Sequence, residues 1–201
     1  MAIEFKKEKI SGHAPEFWRG EAKVLPGGFK PAQDFPVGTV LRKATPLYID
    51  YDARTAAVCK SVEVLDGGTT TKPRVAKGHH FAVNDVVTKV GDGAAAPKIS
   101  AIDTTNPDYD VLTLASAYTG LAKGDILVES AAPNGDAKAE PRYLPNAVAA
   151  ADHTFDGKGL PTIDAAYDAL VLYKNVFYPV VADWLTGQCL KSNPNIMFIT
   201  Q

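Results

Sequence analysis

Residues 79–130 read HHFAVNDVVTKVGDGAAAPKISAIDTTNPDYDVLTLASAYTGLAKGDILVES, and this stretch decides the fold class. Its apolar runs are short and rich in Val, Ile and Leu, and each is closed by Gly, Pro, Asn or Asp, the punctuation of a small antiparallel β domain. Within it, Asn84-Asp85-Val86-Val87-Thr88 is echoed by Gly124-Asp125-Ile126-Leu127-Val128. In each copy a residue that accepts a left-handed backbone precedes an Asp able to bond a nearby backbone amide, and an aliphatic run then enters the sheet. The copies read as two turn-to-strand junctions of the same chemistry; a pair alone does not define a repeat.

Upstream, Thr39-Val40-Leu41, Leu47-Tyr48-Ile49 and Ala57 to Leu65 are strand-like, with turns at Asp50 to Arg54 and Asp66 to Pro73. In the 57–65 run Val58, Val62 and Val64 share one parity and Lys60 breaks it, so one face is expected to be buried only in part. Downstream, residues 131–146 are rich in Ala, Pro and polar residues and read as a linker or exposed loop, and Asp156 to Thr162 form a Gly- and Pro-rich loop. Tyr167 to Val176 reads as a strand. Phe177, Val180, Val181 and Trp184 then fall on one face of a helix, with Pro179 in its first turn and its end by Lys191 or Ser192. Ile196 to Ile199 is an apolar strand that must dock on the sheet or on another subunit. The expected fold is mainly β: a compact antiparallel β barrel or sandwich with an extended N-terminal arm and one short C-terminal helix. The expected divisions are an arm over 1–36, a β domain over 37–130, and a linker with a C-terminal β/helix segment over 131–201.

The arm has no periodicity and is broken by Pro15, Pro26, Pro31 and Pro36, yet it carries Phe5, Phe17, Trp18 and Phe29. Such a segment is expected to lie extended against a surface, its own or a partner's, and to be separable from a folded body. Together with Phe177, Tyr178, Trp184 and Phe198 these aromatics are the candidate interface residues.

Composition sets the remaining bounds. With 46% hydrophobic and 22% charged residues the 201-residue chain can bury a core. Twenty-one basic against 23 acidic side chains leave a net charge of −2, no field that would gather nucleic acid or an anionic membrane. No window approaches the ~18 apolar residues of a membrane span, and the N-terminus lacks an apolar signal core, so assembly in the cytoplasm is expected. Cys59 and Cys189 lie far apart without metal or redox spacing and read as free thiols. Phosphate-loop, nucleophile-elbow and zinc-protease motifs are missing from the sequence, and its glycines read as turn residues. His79-His80 reads as an exposed loop pair, since adjacent side chains in a strand point to opposite faces and cannot readily grip one metal. Asp50 with Asp52, and Asp103 with Asp108 and Asp110, sit in turn-forming contexts and read as structural. Neither a cofactor, a metal nor a catalytic set is expected.

Four segments, Phe81 to Thr88, Lys98 to Asp103, Asp110 to Leu114 and Leu121 to Val128, together with Asn195 to Ile199, resemble the head-fibre and head-decoration proteins of tailed bacteriophages and their prophage relatives. The resemblance covers about Val37 to Ser130 and the last thirty residues, and rests on strand and turn patterns. It implies a non-enzymatic β-rich homotrimer on the outer surface of a virion, attached to the major capsid protein and assembled in the bacterial host cytoplasm. Without a long fibrous extension, a compact decoration protein is the implied variant. Two rivals stand beside it. One is a carbohydrate- or host-surface-binding β module using Trp18, Tyr109 and Tyr118 as stacking platforms; the other is a small hydrolase working through Asp103 and Asp110.

Overall fold

The computed structural model describes residues 16–25, 28–91, 96–131 and 139–200. Strand accounts for 44% of the structure against 3% helix, which places the chain in the mainly β class that the punctuation predicts. In chain order the strands are β1 (Trp18–Val24), β2 (Lys30–Pro31), β3 (Val40–Leu41), β4 (Pro46–Asp50), β5 (Thr55–Val58), β6 (Ser61–Leu65), β7 (Arg74–Ala76), β8 (Val87–Lys89) and β9 (Ile99–Asp103). There follow β10 (Tyr109–Leu114), β11 (Ile126–Glu129), β12 (Ala147–Ala149), β13 (His153–Thr154), β14 (Ala165–Leu172), β15 (Leu185–Thr186), β16 (Cys189–Leu190) and β17 (Asn193–Ile199).

Strands β6 to β11 form a six-stranded sheet of order β8-β11-β6-β7-β10-β9. Its two ends meet. Val86 bridges Lys98, the Val87 amide bonds the Pro97 carbonyl at 3.0 Å, and the Ile99 amide bonds the Asp85 carbonyl at 2.8 Å, so the sheet curls into a barrel. Val62, Val64, Val75, Phe81, Val87, Ile99, Leu112, Leu114, Tyr118 and Leu127 fill it.

The echoed motif is what closes this barrel. Asn84 and Gly124 have φ of 80° and 85°, the left-handed backbone their residue types tolerate. Asp85 Oδ2 accepts the Ala82 amide and Asp125 Oδ2 accepts the Ala122 amide, both at 2.7 Å. Each turn then grips the first strand of the other half. The Asn84 amide donates to the Ile99 carbonyl at 2.9 Å and the Asp85 carbonyl accepts the Ile99 amide at 2.8 Å; the Gly124 amide donates to the Val64 carbonyl at 2.9 Å and the Asp125 carbonyl accepts the Val64 amide at 2.8 Å. Exchanging β6 with β9, β7 with β10 and β8 with β11 leaves the set of pairings in the ring unchanged, so the barrel has the twofold topology of two three-stranded units.

The remaining strands belong to a second body, a nine-stranded sheet of order β15-β16-β17-β14-β12-β4-β5-β2, with β1 also on β14, and the short β3–β13 pair. Strand β14 is its hub. It pairs with β12 at Ala165 and Ala166, with β17 in parallel from Ala169 to Leu172, and with β1 from Ala166 to Val171. The apolar C-terminal strand therefore docks on the chain's own sheet. The strands before the barrel belong to this sheet and not to the barrel: β3 pairs with β13 and β4 with β12, both from the C-terminal third, and β5 pairs with β4 and β2. The barrel is a contiguous insertion between β5 and β12.

Two expectations change. In place of an α-helix from Phe177 there are three-residue 3-10 turns at Tyr173–Asn175 and Ala182–Trp184. Val181 is extended (φ −91°, ψ 148°), β-branched Val180 and Val181 are buried in the body core, and the Pro179 carbonyl accepts the Ser61 hydroxyl at 2.6 Å. Tertiary bonds thus take the place of the helical ladder, and Gly187 (φ 62°) turns the chain into the β15–β16 hairpin. The described part of the arm is extended, as expected, but it is woven into the body: β1 lies on β14, β2 on β5, and Phe29 is buried and bridges Ile163.

The two bodies are joined at a buried ionic stem. Lys60, only 5% exposed, lies where the chain leaves β5 for the barrel. Its ammonium is 2.6 Å from Asp85 and 3.5 Å from Glu129, the last residue of β11, and Glu129 also takes Arg142 at 2.9 Å. Gln33 completes the cluster, donating to the Val58 carbonyl at 3.0 Å and accepting the Val58 amide at 2.7 Å.

Two stability predictions follow from these contacts. Lys60→Ala leaves the buried Glu129 carboxylate with Arg142 and Gln33 and the partly buried Asp85 with the Ala82 amide alone, and should cost about 3 kcal/mol in urea denaturation. Deleting residues 1–35 removes β1, β2, Phe29 and Gln33, and should lower the thermal midpoint sharply or yield insoluble protein; an unchanged melting curve would show that the woven strands contribute nothing.

Candidate functional site

The joint between body and barrel is roofed by the loop after β14. There Tyr178 is buried, its hydroxyl donating to the Gly78 carbonyl at 2.9 Å, and burial pushes its phenol up to about 12. Beside it Phe177 is 56% exposed and forms an edge contact with the Tyr178 ring at 5.0 Å. A Cβ added at Gly78 would lie 3.4 Å from the Phe177 ring, so the ring rests on the barrel's 77–78 turn while its other face is open.

On that side is a groove of about 600 Å³ lined by Phe17, Arg42, Lys43, Ala150, Ala151, Asp152, Asn175 and Phe177. The Asn175 side-chain amide donates to the Glu16 carbonyl, which fixes the start of β1 along its edge. The Arg42 guanidinium sits 5.7 Å from the centroid of Phe177, and the Lys43 ammonium 3.8 Å from that of Trp18 and 5.9 Å from that of Phe17. Asp152 is spent locally: one oxygen accepts the Lys43 backbone amide at 2.7 Å and the other meets Arg42 at 3.4 Å. Apolar walls with two cations at the rim suit recognition of another molecule's surface.

The eight candidate interface residues separate clearly. Phe17 and Phe177, far apart in the sequence, both line this groove, and Trp18 lies beneath the Lys43 ammonium at its rim. Phe29, Tyr178, Trp184 and Phe198 are buried within the chain, and Phe5 lies outside the described residues. The stacking platforms of the carbohydrate reading are occupied. Tyr118 is fully buried, its hydroxyl accepting the Lys89 amide at 2.9 Å, while Arg74 covers Tyr109 at 4.4 Å and Lys43 covers Trp18.

The histidine pair is buried, not an exposed loop pair. His79 Nδ1 accepts the Phe81 amide at 3.2 Å and its Nε2 lies 3.5 Å from Asp110; His80 packs between Phe35 and Tyr178 at ring distances of 5.7 and 4.8 Å. Adjacent side chains do diverge, but both faces here are interior because the body closes over the barrel. The acidic residues make local bonds. Asp50 accepts the Asp52 and Ala53 amides, and Asp103 accepts the Thr105 amide and hydroxyl, which holds its carboxyl below the usual range. Asp110 is buried in β10 and pairs with Lys77 at 2.7 Å. Both cysteines are free, and burial pushes the Cys59 thiol well up. Among the described residues no group of three or more His, Cys, Asp or Glu side chains could hold a metal.

No family model, curated protein or solved structure matches the chain. Its chemistry is therefore read from its own residues.

Burial, with His79 and Lys60 adding repulsion, pushes His80 down to about 4, and burial lowers His79 as well. The unfolded chain takes up a proton on His80 near pH 6.5, whereas the folded chain refuses it until about 4, so stability is full above 6.5 and falls as pH drops through that window. The loss approaches about 1.4 kcal/mol per pH unit for this group. His80→Phe should flatten the slope, as measured by urea denaturation across the window; an unchanged slope would place the acid sensitivity elsewhere.

Proposed function

We propose that this chain is a structural, non-enzymatic virion protein: a compact head-decoration protein carried on the outside of a phage capsid, bound to the major capsid protein and acting as a homotrimer. The observation that carries the reading is the aromatic and cationic groove at the start of β1, lined by Phe17 from the N-terminal segment and Phe177 from the C-terminal third, with the Lys43 ammonium held over Trp18 beside it. A body that spends both chain ends on building one exposed apolar face is suited to docking on another protein. The strand-and-turn pattern that resembles head-decoration proteins supports the same reading: four of its segments contribute to the barrel, and Asn195 to Ile199 lies in β17 of the body.

The test is physical association. Particles released from cells that encode the chain are purified by density gradient, probed for the chain, and labelled with an antibody before and after disruption. Co-migration with intact particles and labelling of their outer surface is expected, with a solution mass of three 21.4 kDa chains by light scattering. Particles free of the chain would overturn the reading, and a monomer mass would overturn its trimeric form.

A further inference from the structure

We infer that the groove beside Phe177 takes a partner segment that presents a carboxylate next to apolar side chains. The inference rests on the attachment reading and names the chemistry of the surface that would be gripped. It begins with a charge count. Arg42 and Lys43 line the groove with Asp152 as the one carboxylate, and both Asp152 oxygens are already engaged, by the Lys43 backbone amide and the Arg42 guanidinium. The neighbouring Glu16 and Arg19 pair with each other at 2.8 Å. Among the described residues no carboxylate pairs with the Lys43 ammonium, which is held over the rings of Trp18 and Phe17.

Rings neutralise no charge. They strip water from one side of an ammonium and leave its remaining hydrogens directed outward, an arrangement that an incoming carboxylate completes. Beside this cation the groove has an apolar lining of Phe17, Phe177, Ala150 and Ala151. A purely acidic ligand would leave those walls wet, and a purely apolar one would leave the cation unpaired. The complement is therefore a protein segment in which Asp or Glu alternates with aliphatic or aromatic residues. The chain as a whole carries a net charge of −2, so the positive rim is a local feature and cannot arise from overall composition.

The fold supplies its own reporter. Trp184 is 1% exposed in the body core, whereas Trp18 is half-buried at the groove, so an emission change on binding reports Trp18. The full chain is titrated with a capped peptide of alternating Asp and Leu, and in parallel with peptides alternating Lys and Leu, and Asp and Ser. Saturable change with the Asp-Leu peptide alone is expected, weakened about ten-fold by Lys43→Gln and by Phe177→Ala. Lys43→Glu should transfer the preference to the Lys-Leu peptide. Both positions are at the surface, and should Phe177→Ala lower the melting temperature, the Lys43 variants carry the test alone. Equal responses to the acidic and basic peptides, no saturable response, or binding indifferent to Lys43 would overturn the inference. The particle experiment separates the two levels. Association that survives Lys43→Glu keeps the attachment reading and overturns the role of this face; peptide binding without any association with particles does the reverse.

Discussion

The arrangement of this protein depends on one buried ammonium. Lys60 sits where the chain passes from the body into the barrel, and its charge is shared by Asp85 in the barrel's first closing turn and Glu129 on its last strand. A charge removed from water at this depth is tolerated only while its partners stay in place. A tilt of the barrel would separate the three groups. The stem thus acts less as a source of stability than as a specification of geometry: Arg142 and Gln33 bind Glu129 from the body side, so the barrel meets the body at one angle. That angle places the 77–78 turn beneath Phe177 and defines one wall of the groove.

The barrel is closed by chemistry that is local in sequence and reciprocal in space. Each Asp shapes its own turn through a side-chain bond, and its backbone carbonyl then accepts the partner half's amide. Closure leaves the barrel without the exposed strand edge that an open sheet of the same strands would present. The body solves its edges otherwise, covering the β14 hub with strands drawn from both chain ends.

What was legible in the sequence followed range. The turn pair at Asn84-Asp85 and Gly124-Asp125 could be read because Asp and a left-handed residue act within four positions. Turn roles for Asp50 and Asp103 were readable for the same reason. Lys60 was visible only as a break in a periodic strand, since its meaning lies 25 and 69 residues away. The spacing of Phe177, Val180, Val181 and Trp184 suits a helix, yet bonds to Ser61 and Tyr173 hold that segment extended. The burial of His80 was equally hidden, as Phe35 and Tyr178 come from loops distant in the sequence. The groove was half legible: its aromatics were singled out, but not their convergence or the cations between them.

The stem also has an evolutionary reading. Ser61 and Val128 are direct antiparallel partners, so the barrel begins and ends on neighbouring strands whose backbones lie about 5 Å apart. A unit whose ends are that close can be gained, lost or traded by recombination while the host sheet keeps its register, as tolerated domain insertions do. The barrel is in this sense a cassette, itself built from a doubled unit, and the body with its groove is the chassis. Because the Phe177 ring rests on the 77–78 turn, any exchanged cassette would have to keep that turn for the chassis to keep its groove.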